Sequence, residues 1–181
     1  MGTRSLTRVF ESEKGKKEIL CLYRQSDGYP SGMGTDLHKA FKSYGFCNGI
    51  SNEGDCAQCG KGDYEEVHRQ PKKRGYHEFK PKEFANGIQC FAATLVKKLK
   101  GGIGGVYIYA PGTKDAGQEF EYHLWLAGDT GPLMMKVLVP GYKGYGPKHE
   151  GAHPEKVLYN GNLKDFDATK CVEEEEVKAE A

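Results

Sequence analysis

No apolar run in this chain approaches the roughly 18 residues that a membrane-spanning helix needs, and no signal-peptide pattern precedes Val9. A soluble, cytoplasmic protein without a membrane partner is therefore expected. Excess charge of one sign is missing as well. The 26 Lys and Arg residues face 25 Asp and Glu, for a net charge of +1, which argues against gripping nucleic acid by bulk electrostatics. Met1-Gly2 lacks the Ser or Thr that N-myristoylation wants, because position 6 is Leu6. There is no Walker loop, nucleophile elbow or His-x-Thr pair, and the His149-x-x-x-His153 spacing, which would suit a metal on a helix, falls where Gly151 and Pro154 read as loop. Internal repeats are absent too.

What is abundant points to turns. With 25 glycines, 11 tyrosines and 38% apolar residues in 181, a turn-rich α+β domain is expected rather than a helical bundle. Residues 6–10 and 17–24 read as a hairpin. Residues 35–44 read as a short helix with Thr35 as N-cap and Gly45 as terminator. Residues 46–80 are rich in Gly, Lys and Cys and read as an irregular insertion. Pro81 opens the strongest helical pattern, carried by Phe84, Ile88, Phe91, Ala92, Leu95, Val96 and Leu99, and Gly101-Gly102 ends it. Strands are expected at 106–110, 119–127 and 133–139, each joined to the next by a hairpin loop, and again at 156–159. The order predicts a mainly antiparallel sheet with two helices packed on one face, a single α+β domain over 1–168. Residues 169–181, with Glu173-Glu174-Glu175-Glu176, read as an acidic disordered tail.

Four constellations could carry chemistry. The first is the turn after the second strand, where Arg24, Asp27, Gly28, Tyr29, Gly32, Gly34 and Thr35 crowd together before a helix. Glycines free backbone N–H groups for an anion, and an arginine adds a charged fork. The spacing fits neither the Walker loop nor the dinucleotide fingerprint, so anion binding without hydrolysis is the expectation. Tyr142 and Tyr145, among glycines and basic residues, could stack a ring beside it. The second is Cys47, Cys56, Cys59 and His68, a Cys₃His set that could hold zinc in a loop with little else to order it. The third is a strand face carrying Glu121 and His123, a carboxylate beside an imidazole that could serve acid–base work on a phosphoester. The fourth is His149 and His153 with Tyr142, Tyr145 and Lys148, aromatic and basic residues among glycines that could stack a ring; beside it, the basic run from Arg69 to Lys82 could meet a phosphate backbone, although nucleic acid is the weaker partner expectation. Cys21 and Cys90 read as small apolar core residues.

At Tyr23-Arg24-Gln25-Ser26-Asp27-Gly28-Tyr29-Pro30-Ser31-Gly32-Met33-Gly34 the chain resembles a group of small proteins of bacteriophages and related mobile elements, which carry a YRxxDGYPxGxG turn after their second strand. The run Val157-Leu158-Tyr159-Asn160-Gly161-Asn162-Leu163-Lys164-Asp165-Phe166 is similar to a second motif of that group. The resemblance covers about a tenth of the chain and implies an origin in phage or virus and a place in the host cytoplasm. It implies no activity. The expectation is thus a non-enzymatic binding protein, able to form homo-oligomers, that sequesters a phosphate-bearing small molecule or blocks a host protein. The alternatives are a nucleotide-acting enzyme using His123 and Glu121, and a zinc-loop factor associated with nucleic acid.

Overall fold

A computed structural model describes residues 2–13, 17–47, 55–56, 60–63, 83–129, 131–143 and 151–171. Its centre is a six-stranded sheet in the order β10-β9-β8-β1-β2-β7. The strands are β1 (Ser5–Phe10), β2 (Glu18–Arg24), β7 (Tyr107–Tyr109), β8 (Phe120–Leu126), β9 (Leu133–Val139) and β10 (Lys156–Asn162). All neighbours are antiparallel except β1 and β8, which run parallel in the register Leu6 to Glu121 and Arg8 to His123. The mainly antiparallel α+β fold expected from the sequence is the one observed.

Two helices, α1 (Thr35–Phe41) and α2 (Gly87–Leu99), cover one face. Leu37 and Phe41 of α1 and Ile88, Phe91, Ala92 and Leu95 of α2 recur at helical spacing. They meet Val9, Leu22, Tyr122, Leu124, Met135 and Val137, which alternate onto one side of their strands. Phe91 is the hub, with its ring 5.0 Å from Phe41 and 5.5 Å from Phe46. Truncating it to alanine would cost about 3–5 kcal/mol.

The other face is also covered. The 110–118 connection crosses it, and Ala116 packs with Tyr109 against Leu6, Cys21 and Tyr23. The sequence reading made this connection a hairpin between adjacent strands. Instead β7 pairs with β2 and β8 pairs with β1, so the loop is a strap beneath two strands. Alternation in the β8 strand predicts a core face opposite a semi-polar one, but Glu121 and Trp125 are only 8% and 7% exposed because both faces carry cover.

Several boundaries move. Residues 83–86 form a strand, β6 (Glu83–Asn86), parallel to β3 (Tyr44–Cys47), so Phe84 lies outside the helix and Gly45 sits in a strand instead of ending α1. Gly87, at φ +71°, makes the corner from strand to helix that a side chain would resist. The expected 46–80 insertion contains a small hairpin of β4 (Asp55–Cys56) and β5 (Gly60–Asp63). Ordered chain continues past 168: Ala168–Lys170 make a 3-10 turn capped by Asp167, and Cys171 is buried. Residues 172–181 lie outside the described residues. No helix among the described residues is long and apolar enough to cross a membrane.

Candidate functional site

The glycine turn is built by close packing. Where β2 ends, Asp27 takes a left-handed conformation (φ 56°) that short polar side chains tolerate, and it swings the chain back over the sheet. Gly28 then touches β1 so closely that a Cβ would stand 2.7 Å from the Arg4 carbonyl carbon. Its N–H donates to the Thr3 carbonyl at 2.9 Å, and its carbonyl accepts from the Tyr122 hydroxyl at 2.8 Å. A Cβ on Gly34 would stand 2.6 Å from the Phe166 ring. Pro30–Gly34 form a single π-type turn that runs directly into α1. Thr35 is therefore inside the helical run and does not cap it; Gly34 occupies the cap position, in helical conformation. The N–H groups of Gly32 and Met33 donate to the Tyr29 and Asp27 carbonyls, so the turn's own donors are engaged internally. The exposed Tyr29 hydroxyl donates to Asp27 at 3.1 Å.

What the turn does create is one wall of a cavity. Arg24 Nη1 donates to Asp36 Oδ2 at 2.6 Å and Nε to the Ser26 carbonyl at 2.9 Å. Beside this corner lies an open cavity of about 620 Å³. Its first wall is 24–27, Asp36, Lys39 and Ala40; its second is the end of α2 with Lys98, Leu99 and the loop Gly101-Gly102-Ile103-Gly104-Gly105. Three cations, Arg24, Lys39 and Lys98, face two carboxylates, Asp27 and Asp36. Lys98 is also paired with Glu83, whereas Lys39 has no carboxylate partner among the described residues. In the glycine loop the Gly101 N–H donates to Leu99 and the Gly105 N–H to Gly102. The N–H groups of Gly102, Ile103 and Gly104 have no hydrogen-bond partner among the described residues. Three successive free donors at a cationic cavity suit phosphate oxygens. The carbonyl end of α2 opposes an anion there, and Lys98 offsets it.

The structure brings Glu121 and His123 together on the strap-covered face. His123 Nε2 lies 2.9 Å from Glu121 Oε2, and Phe10 meets the imidazole ring edge-on at 5.0 Å. Sequence reasoning missed the residues that organise this pair. Arg8, opposite His123 in register, donates to both Glu121 oxygens at 2.8 and 3.1 Å and to Glu18 at 3.2 Å. It also reaches the Thr113 carbonyl at 2.6 Å, and Gly112 N–H donates to Glu18 at 2.9 Å, tying the strap down. Gln118 donates to Glu121 at 2.7 Å. Burial alone would raise the Glu121 pKa. Hydrogen bonds from His123, Arg8 and Gln118, with the charge of Arg8, outweigh it and hold the carboxyl at about 2. Glu121 is thus ionised at neutral pH, and its carboxylate holds the His123 ring by Nε2. Burial pushes the neighbouring Cys21 thiol up to about 12, against the pull of Arg8. Lys136, across from His123, turns to Glu155 at 3.1 Å.

The remaining candidates are dispersed. Tyr142 pairs with His153 across the β9–β10 connection and does not line the cavity; Tyr145 lies outside the described residues. Cys47 falls in β3 and Cys56 in β4, where it pairs with Gly60, while Cys59, His68 and the basic run 69–82 lie outside the described residues. Among the described residues no group of three or more His, Cys, Asp or Glu side chains is placed to hold a metal. Cys21 is buried as expected, but Cys90 is exposed, because it sits one position before Phe91 and off the apolar stripe of α2. Comparison with protein-family models, with curated proteins and with solved structures gives no match for this chain.

Proposed function

We propose that this chain is a binding protein, not an enzyme, and that it holds a phosphate-bearing, nucleotide-like small molecule in the cavity between the Arg24–Asp36 corner and the Gly101–Gly105 loop. The observation that carries this reading is the set of unpartnered N–H groups at Gly102, Ile103 and Gly104 beside Arg24, Lys39 and Lys98. The YRxxDGYPxGxG turn supports a phage or viral origin, with sequestration of the ligand in the host cytoplasm as its use. The turn contributes by fixing Arg24 and Asp36, and its glycines make that corner compact. A thermal-shift screen of linear and cyclic nucleotides and pyrophosphate tests this. A ligand present at about 100 times its dissociation constant adds about 2.7 kcal/mol, which raises the melting temperature by roughly 5–10 °C for a domain of this size. The ligand should be recovered chemically intact, and Lys39→Ala should reduce the shift. No shift with any of these anions would overturn the reading.

One observation favours a second reading, an enzyme acting on a phosphoester: His123 is held by Glu121 at 2.9 Å and stays partly exposed. Turnover of a nucleotide that disappears in His123→Ala but persists in Lys39→Ala would favour it. The zinc-loop reading, with Cys47, Cys56, Cys59 and His68, is decided by the zinc content of the purified protein.

A further inference from the structure

The sheet ends at β7, and what lies along that edge is unusual for an exposed strand. Tyr107, Ile108 and Tyr109 pair with Tyr23, Leu22 and Cys21 of β2, and no described strand lies on the far side. Exposed edges are normally guarded by charges, proline or a bulge. Residues 106–110 contain no charge and no proline, and the strand is only three residues long. In an antiparallel edge strand, alternate residues turn their N–H and C=O groups outward, ready to pair. Ile108, in register with Leu22 on the helix-bearing side, is 66% exposed, and Ile103 on the adjacent glycine loop is fully exposed. On the opposite side Tyr107 is 48% exposed and Tyr109 stacks on Tyr23 at 5.1 Å. An added strand would find apolar surface on both faces, the arrangement that β-strand addition uses for affinity and side-chain selection.

Charge selects the occupant. Lys100 Nζ lies 6.0 Å from the centre of the Tyr107 ring and 3.4 Å from the Val106 carbonyl, with Lys97 one turn earlier on α2. Neither lysine has a carboxylate partner among the described residues. A second copy joined antiparallel at Ile108 would set Tyr107 against Tyr109 of the other chain and, since residues 106–110 carry no acid, would offer Lys97 and Lys100 no carboxylate. An acidic strand would instead supply the missing counter-charges. We infer that the β7 edge is a docking site for an extended segment of a partner protein in which apolar and acidic side chains alternate. This rests on β7 and Lys100, independently of the cavity ligand.

The probe is a synthetic octapeptide alternating Val and Glu, with a Val–Lys octapeptide as control, followed by fluorescence anisotropy and by the amide signals of the protein. The Val–Glu peptide should bind saturably and shift the amides of Tyr107, Ile108 and Tyr109, whereas the Val–Lys peptide should not bind. Ile108→Lys places a guard on the edge at an already exposed position. It should weaken binding about tenfold while leaving the melting temperature and the nucleotide response unchanged, and Lys100→Glu should reverse the preference between the two peptides. Equal binding of both peptides, or no binding of the Val–Glu peptide at about 1 mM, would overturn the inference. So would a dimer in sedimentation that Ile108→Lys dissociates, since the occupant would then be a second copy.

Discussion

Arg8 and Arg24 lie on opposite faces of the same sheet, and each is held by carboxylates, yet they are built for different ends. Arg8 is 6% exposed and stands between two carboxylates that are themselves nearly buried, with a strap of backbone closed over all three. Arg24 is partly exposed, pairs with one half-exposed aspartate and borders open space. A buried cation shared by two acids organises structure, because none of the three tolerates losing its partner. A cation at the lip of a cavity, in a solvated pair, can exchange its partner for a ligand at little cost. On the proposed reading, the strap-covered face serves stability and the cavity on the helix-bearing face serves recognition.

The strongest way to break that comparison is to remove each arginine in turn. Arg8→Met strands Glu18 and Glu121 in a buried setting and should lower unfolding free energy by about 3–5 kcal/mol in denaturant titrations. Arg24→Ala should cost under about 1 kcal/mol, while diminishing any nucleotide-induced thermal shift. Similar losses from both would erase the distinction.

Acid provides the next largest effect. The Glu121 carboxyl falls from 4.5 to about 2 on folding. A lowered acid favours the folded state at any pH above its unfolded value. That stabilisation therefore persists above about pH 4.5 and is lost as pH drops toward 2, in all about 3 kcal/mol. Glu121→Gln should flatten the decline in stability over that window. An unchanged acid limb in the Gln variant would mean that the carboxylate is not held as described.

A smaller effect runs the other way. Ser5 Oγ and Thr7 Oγ1 are buried on the helix-bearing side of β1 with no hydrogen-bond partner among the described residues. Thr7→Val keeps the shape and removes an unpaired hydroxyl, and it should stabilise the protein by about 1 kcal/mol. A loss of stability of that size would show that the hydroxyl is satisfied in solution.

How much of this was legible beforehand depends on whether the signal is local. The β1–β2 and β8–β9 hairpins, α1 and the apolar stripe of α2 follow from periodicity and turn residues within a few positions. The parallel pairing of β1 with β8, and with it the strap, depends on contacts more than a hundred residues apart that no local pattern carries. Arg8 was invisible for that reason: within Leu6-Thr7-Arg8-Val9 it reads as an outward-facing polar residue, and only the register with Cys21 and His123 buries it. Glu121 and His123 were legible as a pair because they are two apart on one strand, but their role was not, since Arg8, Glu18 and Gln118 decide it. The DGYP turn was legible as a glycine device. Its glycines proved to be sites of close backbone and ring approach, while the free donors lie in Gly101–Gly105, which the sequence reading used only to end a helix. Cys90 could have been placed correctly, since a stripe of Ile88, Phe91, Ala92 and Leu95 excludes it.

The central claim is that the cavity formed by Arg24, Lys39 and the Gly101–Gly105 loop binds phosphate, and that the glycine turn beneath it is structural. A pyrophosphate titration followed by amide chemical shifts tests this most directly. The account predicts saturable shifts at Gly102, Ile103, Gly104 and Lys39, abolished by Lys39→Glu, with Gly28 and Gly34 unmoved. Saturable shifts centred on Gly28 to Gly34 or on His123, or no saturable shift at all, would contradict it.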